Sequence, residues 1–150
     1  MKCLTAYINE GLRLGKGSRF LYHPETKQEL YKIIKERIKE EGNKCDLNNI
    51  DVSKLEDLGC LFQGSDFDGD ISGWNVSNVK YMEQMFLESK FTGKNGDISK
   101  WDVRNVINFR QMFDSSDIAI DLSNWEIRKG ANMEFMFDNT SVQRPNWYTR

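Results

Sequence analysis

Apolar and polar positions along most of the chain follow one pattern that recurs four times without a gap. Each recurrence opens with an Asp and an aliphatic residue, places a large apolar residue four positions after the Asp, and ends in Leu-Phe or Met-Phe. The segments that align in this way are residues 46–62, 70–86, 97–113 and 121–137. Self-similarity at one register is typical of repeat proteins, whose units bury their apolar columns by stacking.

The spacing within one unit predicts its shape. Trp74-Asn75-Val76 alternates apolar and polar residues, which indicates a half-buried strand. Val79, Met82, Met85 and Phe86 then recur at three- and four-residue steps, the spacing typical of one face of a short helix. The pattern therefore predicts an α/β protein: a short right-handed, leucine-rich-repeat-like solenoid of about four strand–turn–helix units.

Residues 1–45 precede the repeats and are predicted to form an N-terminal cap. After a short initial segment, residues 19–22 are predicted to form a strand. Thr26 and Glu29 have the spacing of a capping box, and the apolar stripe that follows predicts a helix over residues 26–41.

Residues 46–150 contain the four repeats and a truncated fifth, which begins at Asn146-Trp147, and cap and repeats are expected to fold as one unit. A length of 150 residues with 39% hydrophobic and 29% charged residues fits one globular domain. No apolar run is long enough to span a membrane, and residues 1–5 lack the apolar stretch of a signal peptide, which predicts a cytoplasmic protein with no membrane partner. The cysteines form no CxxC pair, as expected of reduced thiols.

The charge is divided unevenly between the cap and the repeats. Residues 1–45 carry ten Lys and Arg against six Asp and Glu, a net charge of +4, whereas residues 46–150 carry eleven against seventeen, a net charge of −6. Phosphate contacts need clustered cations, so an acidic repeat region argues against a nucleic-acid partner.

Residue types that carry catalysis are sparse. His23 is the sole histidine, so the sequence offers no second imidazole for zinc or for an acid–base pair. Nucleophile motifs and glycine-rich phosphate loops are absent, and residues 66–70 place their glycine wrongly for a calcium-binding EF-hand. The Asp that recurs in each unit is interpreted as a turn residue. The sequence thus predicts a protein that is not an enzyme and has no cofactor, metal site or small-molecule substrate; a hydrolase would rest on carboxylates alone.

The segment over residues 70–86, Asp-Ile-Ser-Gly-Trp-Asn-Val-Ser-Asn-Val-Lys-Tyr-Met-Glu-Gln-Met-Phe, resembles the repeat of BspA-like bacterial surface proteins and mycoplasma lipoproteins. The resemblance covers residues 46–147 and rests on columns that match in four successive units. It implies a leucine-rich-repeat-like fold that acts by binding protein, in many members as an adhesin. Those adhesins are exported, whereas this sequence shows no export signal, so the adhesive role is not carried over.

The first ten residues resemble a second kind of protein. Met1-Lys2 opens the chain, and Ile8-Asn9-Glu10 matches the aliphatic-x-Glu processing site in the capsid-targeting peptide of T-even phage internal proteins. This resemblance implies cleavage between Glu10 and Gly11, packaging in a phage virion and delivery to the host cytoplasm. The spacing of the apolar residues leaves a short cap helix as the alternative.

Function is then expected from outward-facing columns of the repeats. Alternation turns one polar residue per unit outward between two buried columns, and a neighbouring column starts polar and ends basic. The first column is Asp51, Asn75, Asp102 and Glu126, and the second ends in Arg104 and Arg128. Trp147 and Tyr148 place aromatic side chains, which are frequent in binding hot spots, near the C-terminal end.

These residues lead to two hypotheses of function. The first is a non-catalytic protein-binding repeat module that acts inside a bacterial cell through the residues of these columns, with its oligomeric state left open. The alternative, from residues 1–10, is a phage-encoded protein, packaged in the capsid and injected, that inhibits a host defence enzyme by binding it.

Overall fold

The structure is a computed structural model that describes residues 20–149. Within that range it contains one helix, α1, over Lys27–Glu41, and isolated parallel β-bridges without an extended strand. No helix among these residues is long and apolar enough to cross a lipid bilayer. The prediction of an α/β solenoid of strand–turn–helix units is therefore wrong, because the described repeats contain neither the predicted strands nor the predicted helices.

The helix α1 begins and ends where its sequence pattern places it. The hydroxyl of Thr26, the N-cap residue, accepts a hydrogen bond from the backbone N–H of Glu29 at 3.2 Å. Gly42 ends the helix with a φ of 87°, a conformation that glycine adopts without a steric penalty. Leu30 and Ile34 are buried in the core that α1 shares with the repeats.

Each repeat carries a series of consecutive turns, here named a turn run. The turn runs are residues 57–64, 81–88, 108–115 and 132–139. In the first of them the N–H of Leu61 donates to the carbonyl of Leu58 at 3.3 Å. Residues with a φ near +60° recur in every run: Cys60, Gly64, Gln84, Glu88, Gln111, Ser115, Phe135 and Asn139. This left-handed backbone is incompatible with a right-handed helix, so the runs cannot be the predicted helices.

The backbone of each turn run pairs with the run of the following unit. Alternate N–H groups donate across each junction, at 2.7–3.0 Å. At the middle junction the donors are Met82, Gln84, Phe86 and Glu88, and the acceptors are the carbonyls of Asn108, Arg110, Met112 and Asp114. An α-helix needs those N–H groups for carbonyls four residues earlier in the same segment. The ladder between runs therefore takes the donors that a helix would require.

The Trp-x-Val segments, which the sequence predicts to be strands, form turns instead. The Oδ1 atom of Asn75 accepts a hydrogen bond from the N–H of Ser77 at 3.1 Å, and the N–H of Trp74 donates to the carbonyl of Ile71 at 3.1 Å. Both bonds close turns inside one unit, so the alternation of buried and exposed side chains here arises from turns. The strand predicted at residues 19–22 is represented, in the described part, by a single bridge between Tyr22 and Ile50.

A column of phenylalanine rings runs through the core. Phe62, Phe86, Phe113 and Phe137 stack with centroid separations of 5.5, 5.6 and 5.6 Å. All four side chains are almost completely buried. Their stacking joins the cores of successive units into one.

A second column consists of tryptophans that both stack and donate hydrogen bonds. The ring centroids of Trp74 and Trp101 lie 6.5 Å apart, and those of Trp125 and Trp147 lie 6.4 Å apart. Every indole N–H in the column donates to a carbonyl one unit earlier, at 2.9–3.2 Å. The acceptors are the carbonyls of Leu47, Ile71, Ile98 and Leu122. These bonds fix the register of each unit on the one before it.

Candidate functional site

The structure uses most of the predicted outward column to stabilise its own turns. Asp51, Asn75 and Asp102 each accept, through Oδ1, a hydrogen bond from the backbone N–H two residues later, at 3.0, 3.1 and 3.3 Å. These are Asx turns, in which one side-chain oxygen is committed to the local backbone. The fourth member, Glu126, is exposed.

Two carboxylates of this column also lie beside cationic or titratable groups. The carboxylate of Asp51 lies 3.4 Å from Nδ1 of His23, and that of Asp102 accepts two hydrogen bonds from the guanidinium of Arg104, at 2.9 and 2.8 Å. The Arg104 bonds hold the pKa of Asp102 below its usual value, and the same hydrogen bonds, together with the Asp102 charge, raise the pKa of Arg104. Because Arg104 compensates Asp102, the column is less acidic than its sequence suggests; Arg128 is exposed beside it.

Two Asx-turn aspartates are expected to make stability depend on pH. Burial raises the pKa of Asp51 and Asp70, but hydrogen bonds, chiefly from Ser53 and Ser72, outweigh burial and hold both pKa values below the usual range. Such a carboxyl stabilises the fold above its unfolded pKa of about 3.9, and this contribution is lost as pH falls through the folded pKa. The double variant Asp51→Asn/Asp70→Asn keeps an acceptor for each turn but removes the charge.

This double variant should therefore be less stable than the wild type at neutral pH, and the difference should shrink over the range from neutral pH down through the lowered folded-state pKa values of the two aspartates, where they become protonated. Thermal unfolding of both proteins across this range measures the difference. A stability gap that does not change with pH would contradict the assignment.

Trp147 and Tyr148, predicted as aromatic binding residues, pack onto the last unit. Trp147 stacks on Trp125 and continues the tryptophan column. The ring of Tyr148 meets that of Phe137 edge-on, with centroids 5.1 Å apart. Both side chains are half-buried, so only part of each is available to a partner.

Among residues 20–149, the outer side of the last turn run carries backbone donors that have no acceptor. The N–H groups of Met133, Phe135, Phe137 and Asn139 are the counterparts of those that pair at every inner junction, and within residues 20–149 none of the four has an acceptor. This row of amides is named the C-terminal edge. Alternate unpaired N–H groups along a chain offer a template for another backbone.

A groove with a volume of about 420 Å³ lies beside the C-terminal edge and is named the C-terminal groove. Its lining consists of Ala131, Asn132, Met133, Glu134, Phe135, Asp138, Tyr148 and Thr149. The side chain of Phe135 is 50% exposed, and the guanidinium carbon of Arg110 lies 6.0 Å from its ring centroid. Arg110 also approaches the Glu134 carboxylate at 3.7 Å.

Sequence reasoning missed both Phe135 and the C-terminal edge. The equivalents of Phe135 in the other runs are Cys60, Gln84 and Gln111, and the side-chain amide of Gln84 donates to that of Gln111 at 3.0 Å. An aromatic residue in an otherwise polar column was the one available signal. The edge leaves no such signal, because backbone pairing between units does not depend on residue type.

The opposite end of the stack is covered by α1. The carbonyls equivalent to the acceptors of the inner junctions belong here to Asp57, Gly59, Leu61 and Gln63. The ammonium group of Lys27 bonds the carboxylate of Asp57 at 2.6 Å, and α1 lies along the first turn run with pockets of about 450 and 470 Å³ between them. The two ends therefore differ in chemistry. Carbonyls lie beneath a helix at one end; at the other lie amides that have no acceptor within residues 20–149, that of the buried Phe137 among them.

Two features of the described residues bear on catalysis. Within residues 20–149, no three His, Cys, Asp or Glu side chains come together as metal ligands. Burial raises the pKa of the thiols of Cys45 and Cys60, which disfavours the nucleophilic thiolate. The absence of enzymatic activity stays a prediction. The processing site predicted at Glu10 and Gly11 lies outside the described residues.

Comparison with known proteins identifies the family. A family model described as "Mycoplasma protein of unknown function, DUF285" matches residues 29–148, which confirms the resemblance to mycoplasma repeat proteins at the level of the family. No curated protein and no solved structure matches the chain. None of these comparisons supports the resemblance of residues 1–10 to a phage peptide. Because the match extends from α1 through the last repeat, this protein belongs to the Mycoplasma DUF285 family.

Proposed function

We propose that this protein is a non-catalytic module that binds another protein, and that the C-terminal groove is the contact site. The observation that carries the proposal is Phe135, an aromatic side chain that is 50% exposed on a backbone with a φ of 58°. Exposed aromatic side chains held in fixed positions are typical of binding hot spots.

The fold gains little from a phenylalanine at this position. Left-handed backbone costs a residue other than glycine roughly 1–2 kcal/mol, and Asn tolerates it better than most. Half of the Phe135 side chain faces solvent, so the ring buries little apolar surface in return. The equivalent Cys60, Gln84 and Gln111 satisfy the same backbone without an exposed ring. A conformationally costly residue that the fold does not need supports a functional role.

The surroundings of Phe135 support the same site. Arg110 lies over its ring, and Tyr148 contributes a second aromatic side chain to the groove. Arg and Tyr are both enriched among residues that dominate binding energy. Of the residues predicted from the sequence, Tyr148 thus belongs to the proposed site. Glu126 lies on the outward column and Arg128 beside it, and both would contribute only charge that steers a partner.

Replacing Phe135 by Asn separates binding from folding. We expect Phe135→Asn to weaken partner binding at least about tenfold, ~1.4 kcal/mol, since it removes a hot-spot aromatic. Its thermal stability should equal or exceed that of the wild type, because Asn suits the left-handed backbone. Affinity capture from a lysate of the source organism, read by quantitative mass spectrometry and followed by titration of the purified partner, measures the loss.

Tyr81→Ala is the matched control, because Tyr81 is an aromatic residue of another turn run with 39% of its side chain exposed. This variant should retain the same partner as the wild type. Equal recovery of partners by the wild type and Phe135→Asn would contradict the proposed site, and recovery of none by the wild type would contradict the proposed function.

A further inference from the structure

We propose that Asn95 is a site of spontaneous deamidation, and that Asp68 restrains the reaction by holding the Asn95 side chain. The change would run in one direction, because its product cannot bond Asp68 again. Asn95-Gly96 is the one Asn-Gly pair in the sequence. It ends the connection over residues 87–96, which has ten residues where the other two connections between aligned segments have seven. This inference is independent of the proposed protein-binding function.

Asp68 holds both ends of residues 92–95. Its Oδ1 atom accepts hydrogen bonds from the backbone N–H and the hydroxyl of Thr92, both at 2.8 Å. The Nδ2 atom of Asn95 donates to the carbonyl oxygen of Asp68 at 2.7 Å and to its Oδ2 atom at 2.9 Å. This set of bonds is named the Asp68 clamp. The clamp holds Asn95 by its amide nitrogen, the atom that deamidation removes.

The fold needs each member of the Asn-Gly pair for a different reason. At residue 96 an added Cβ would lie 2.7 Å from the Cα atom of Asp70 and 2.9 Å from the carbonyl oxygen of Gly69, which is too close for any residue but glycine. At residue 95 the clamp needs an amide, because a carboxylate has no N–H to donate. The structure therefore depends on a thermolabile Asn that is followed by a residue without a Cβ to shield it.

Deamidation first joins the two residues in a ring. The backbone nitrogen of Gly96 attacks Cγ of Asn95 and forms a succinimide, while Nδ2 leaves as ammonia and takes up the proton that the Gly96 amide loses. Water then opens the ring at either carbonyl and gives aspartate or isoaspartate. Within residues 20–149 the Gly96 amide donates to no acceptor, so no other bond restrains the attacking nitrogen. The attack requires the Asn95 side chain to turn, and the clamp opposes that rotation.

The product cannot restore the clamp. An aspartate at residue 95 offers only acceptor oxygens. Its charge would replace an amide nitrogen that lies 2.9 Å from Oδ2 of Asp68, and like charges that close repel. Isoaspartate also lengthens the backbone next to Gly96, where the contact with Asp70 leaves no room for another atom. Residues 92–96 should therefore separate from Asp68 once Asn95 has reacted.

The rate of deamidation in the folded protein tests the clamp. Wild type and Asp68→Ala are incubated at mildly alkaline pH and digested, and the peptide that contains Asn95 is quantified by mass spectrometry. Asp68→Ala should react at least about tenfold faster, because hydrogen bonds to a charged group no longer hold the side chain. Asn78 is the control: its Nδ2 donates to the carbonyl of Ser53 at 2.7 Å, but Val79 follows it, and it should keep its amide in both proteins.

Thr92→Val provides the test if Asp68→Ala does not fold, which thermal unfolding shows. It removes one bond of the clamp and keeps the carboxylate, and it should react at a rate above that of the wild type. Equal or slower deamidation of Asn95 in the folded variants would overturn the restraint by Asp68. No reaction at Asn95 in any folded protein, over a time in which the urea-unfolded chain reacts, would overturn the site.

Asn95→Asp tests the consequence, because it carries the product side chain from the start. Amide exchange is read residue by residue by NMR spectroscopy on the full chain. The N–H of Thr92 should exchange at least about tenfold faster than in the wild type, since its bond to Asp68 is lost when residues 92–96 separate. The N–H of Ser123, which donates to Asp121 at 2.8 Å, should not change. Unchanged exchange at Thr92 would overturn the release of these residues.

Discussion

Replacing Trp101 by Ala is expected to destabilise the protein by about 3–5 kcal/mol. That is a large share of the roughly 5–15 kcal/mol that keeps an ordinary domain folded. Trp101 is 5% exposed, its ring lies 6.5 Å from that of Trp74, and its indole N–H donates to the carbonyl of Ile71 at 3.2 Å. The variant loses the buried ring and leaves that carbonyl without its donor. Denaturant or thermal unfolding measures the effect.

Two further variants make the result specific. Lys100→Ala changes the exposed neighbour and should alter stability by less than about 0.5 kcal/mol. Trp101→Phe keeps an aromatic ring but removes the indole donor, so its loss should fall between those of the other two variants. An unfolding midpoint for Trp101→Ala equal to that of the wild type would show that the tryptophan column does not hold the units together.

Substitutions at Gln111 distinguish a turn run from a helix. Gln111 has a φ of 55°, and its N–H donates to the carbonyl of Glu134 at 2.9 Å. Proline cannot adopt a positive φ and has no N–H to donate. Gln111→Pro should therefore lower the free energy of unfolding by about 3 kcal/mol or more. Gln111→Gly should be more stable than Gln111→Ala by roughly 1–2 kcal/mol, because glycine alone adopts the left-handed region without penalty.

In a helix the order of the last two variants would be reversed, since glycine there is less stable than alanine by about 1 kcal/mol. Chemical denaturation of the three variants therefore tests the backbone conformation directly. The Gly and Ala variants both remove the side-chain hydrogen bond to Gln84, so its loss cancels in their comparison. If Gln111→Ala were more stable than Gln111→Gly, the result would indicate a helix at this position and contradict the turn run.

The apolar columns could be predicted from the sequence because burial follows residue type and register. Phe113 and Trp101 are buried as their columns indicate, and α1 starts at the predicted capping residue, Thr26. The shape of the unit could not be predicted in this way, because apolar residues three and four apart fit one face of a helix and also a series of turns. The choice depends on where an amide such as that of Gln84 finds its acceptor. That acceptor, the carbonyl of Arg110, lies in the next unit, beyond the reach of a local pattern.

The candidate site, like the fold, could be predicted only in part from the sequence. The sequence predicts Tyr148 as a binding residue because aromatic residues are frequent in binding hot spots. Its contact with Phe137 could not be predicted, because it depends on how the C-terminal segment folds back onto the last repeat. The sequence pattern predicts that Asp51 and Asn75 are free to bind a partner, but polar side chains at turns often bond the local backbone, as these two do.

The hydrogen bonds from the indole groups of the tryptophan column have a consequence for the gain and loss of whole repeats. Each inner unit gives one indole donor to the unit before it and one carbonyl to the unit after it, as Trp101 and Ile98 do in the third. A unit duplicated or deleted as a whole therefore leaves no donor or acceptor unmatched inside the stack. Because the stability of stacked repeats is close to a sum of unit and neighbour terms, genetic duplication could alter the distance between the covered and open ends without redesigning either.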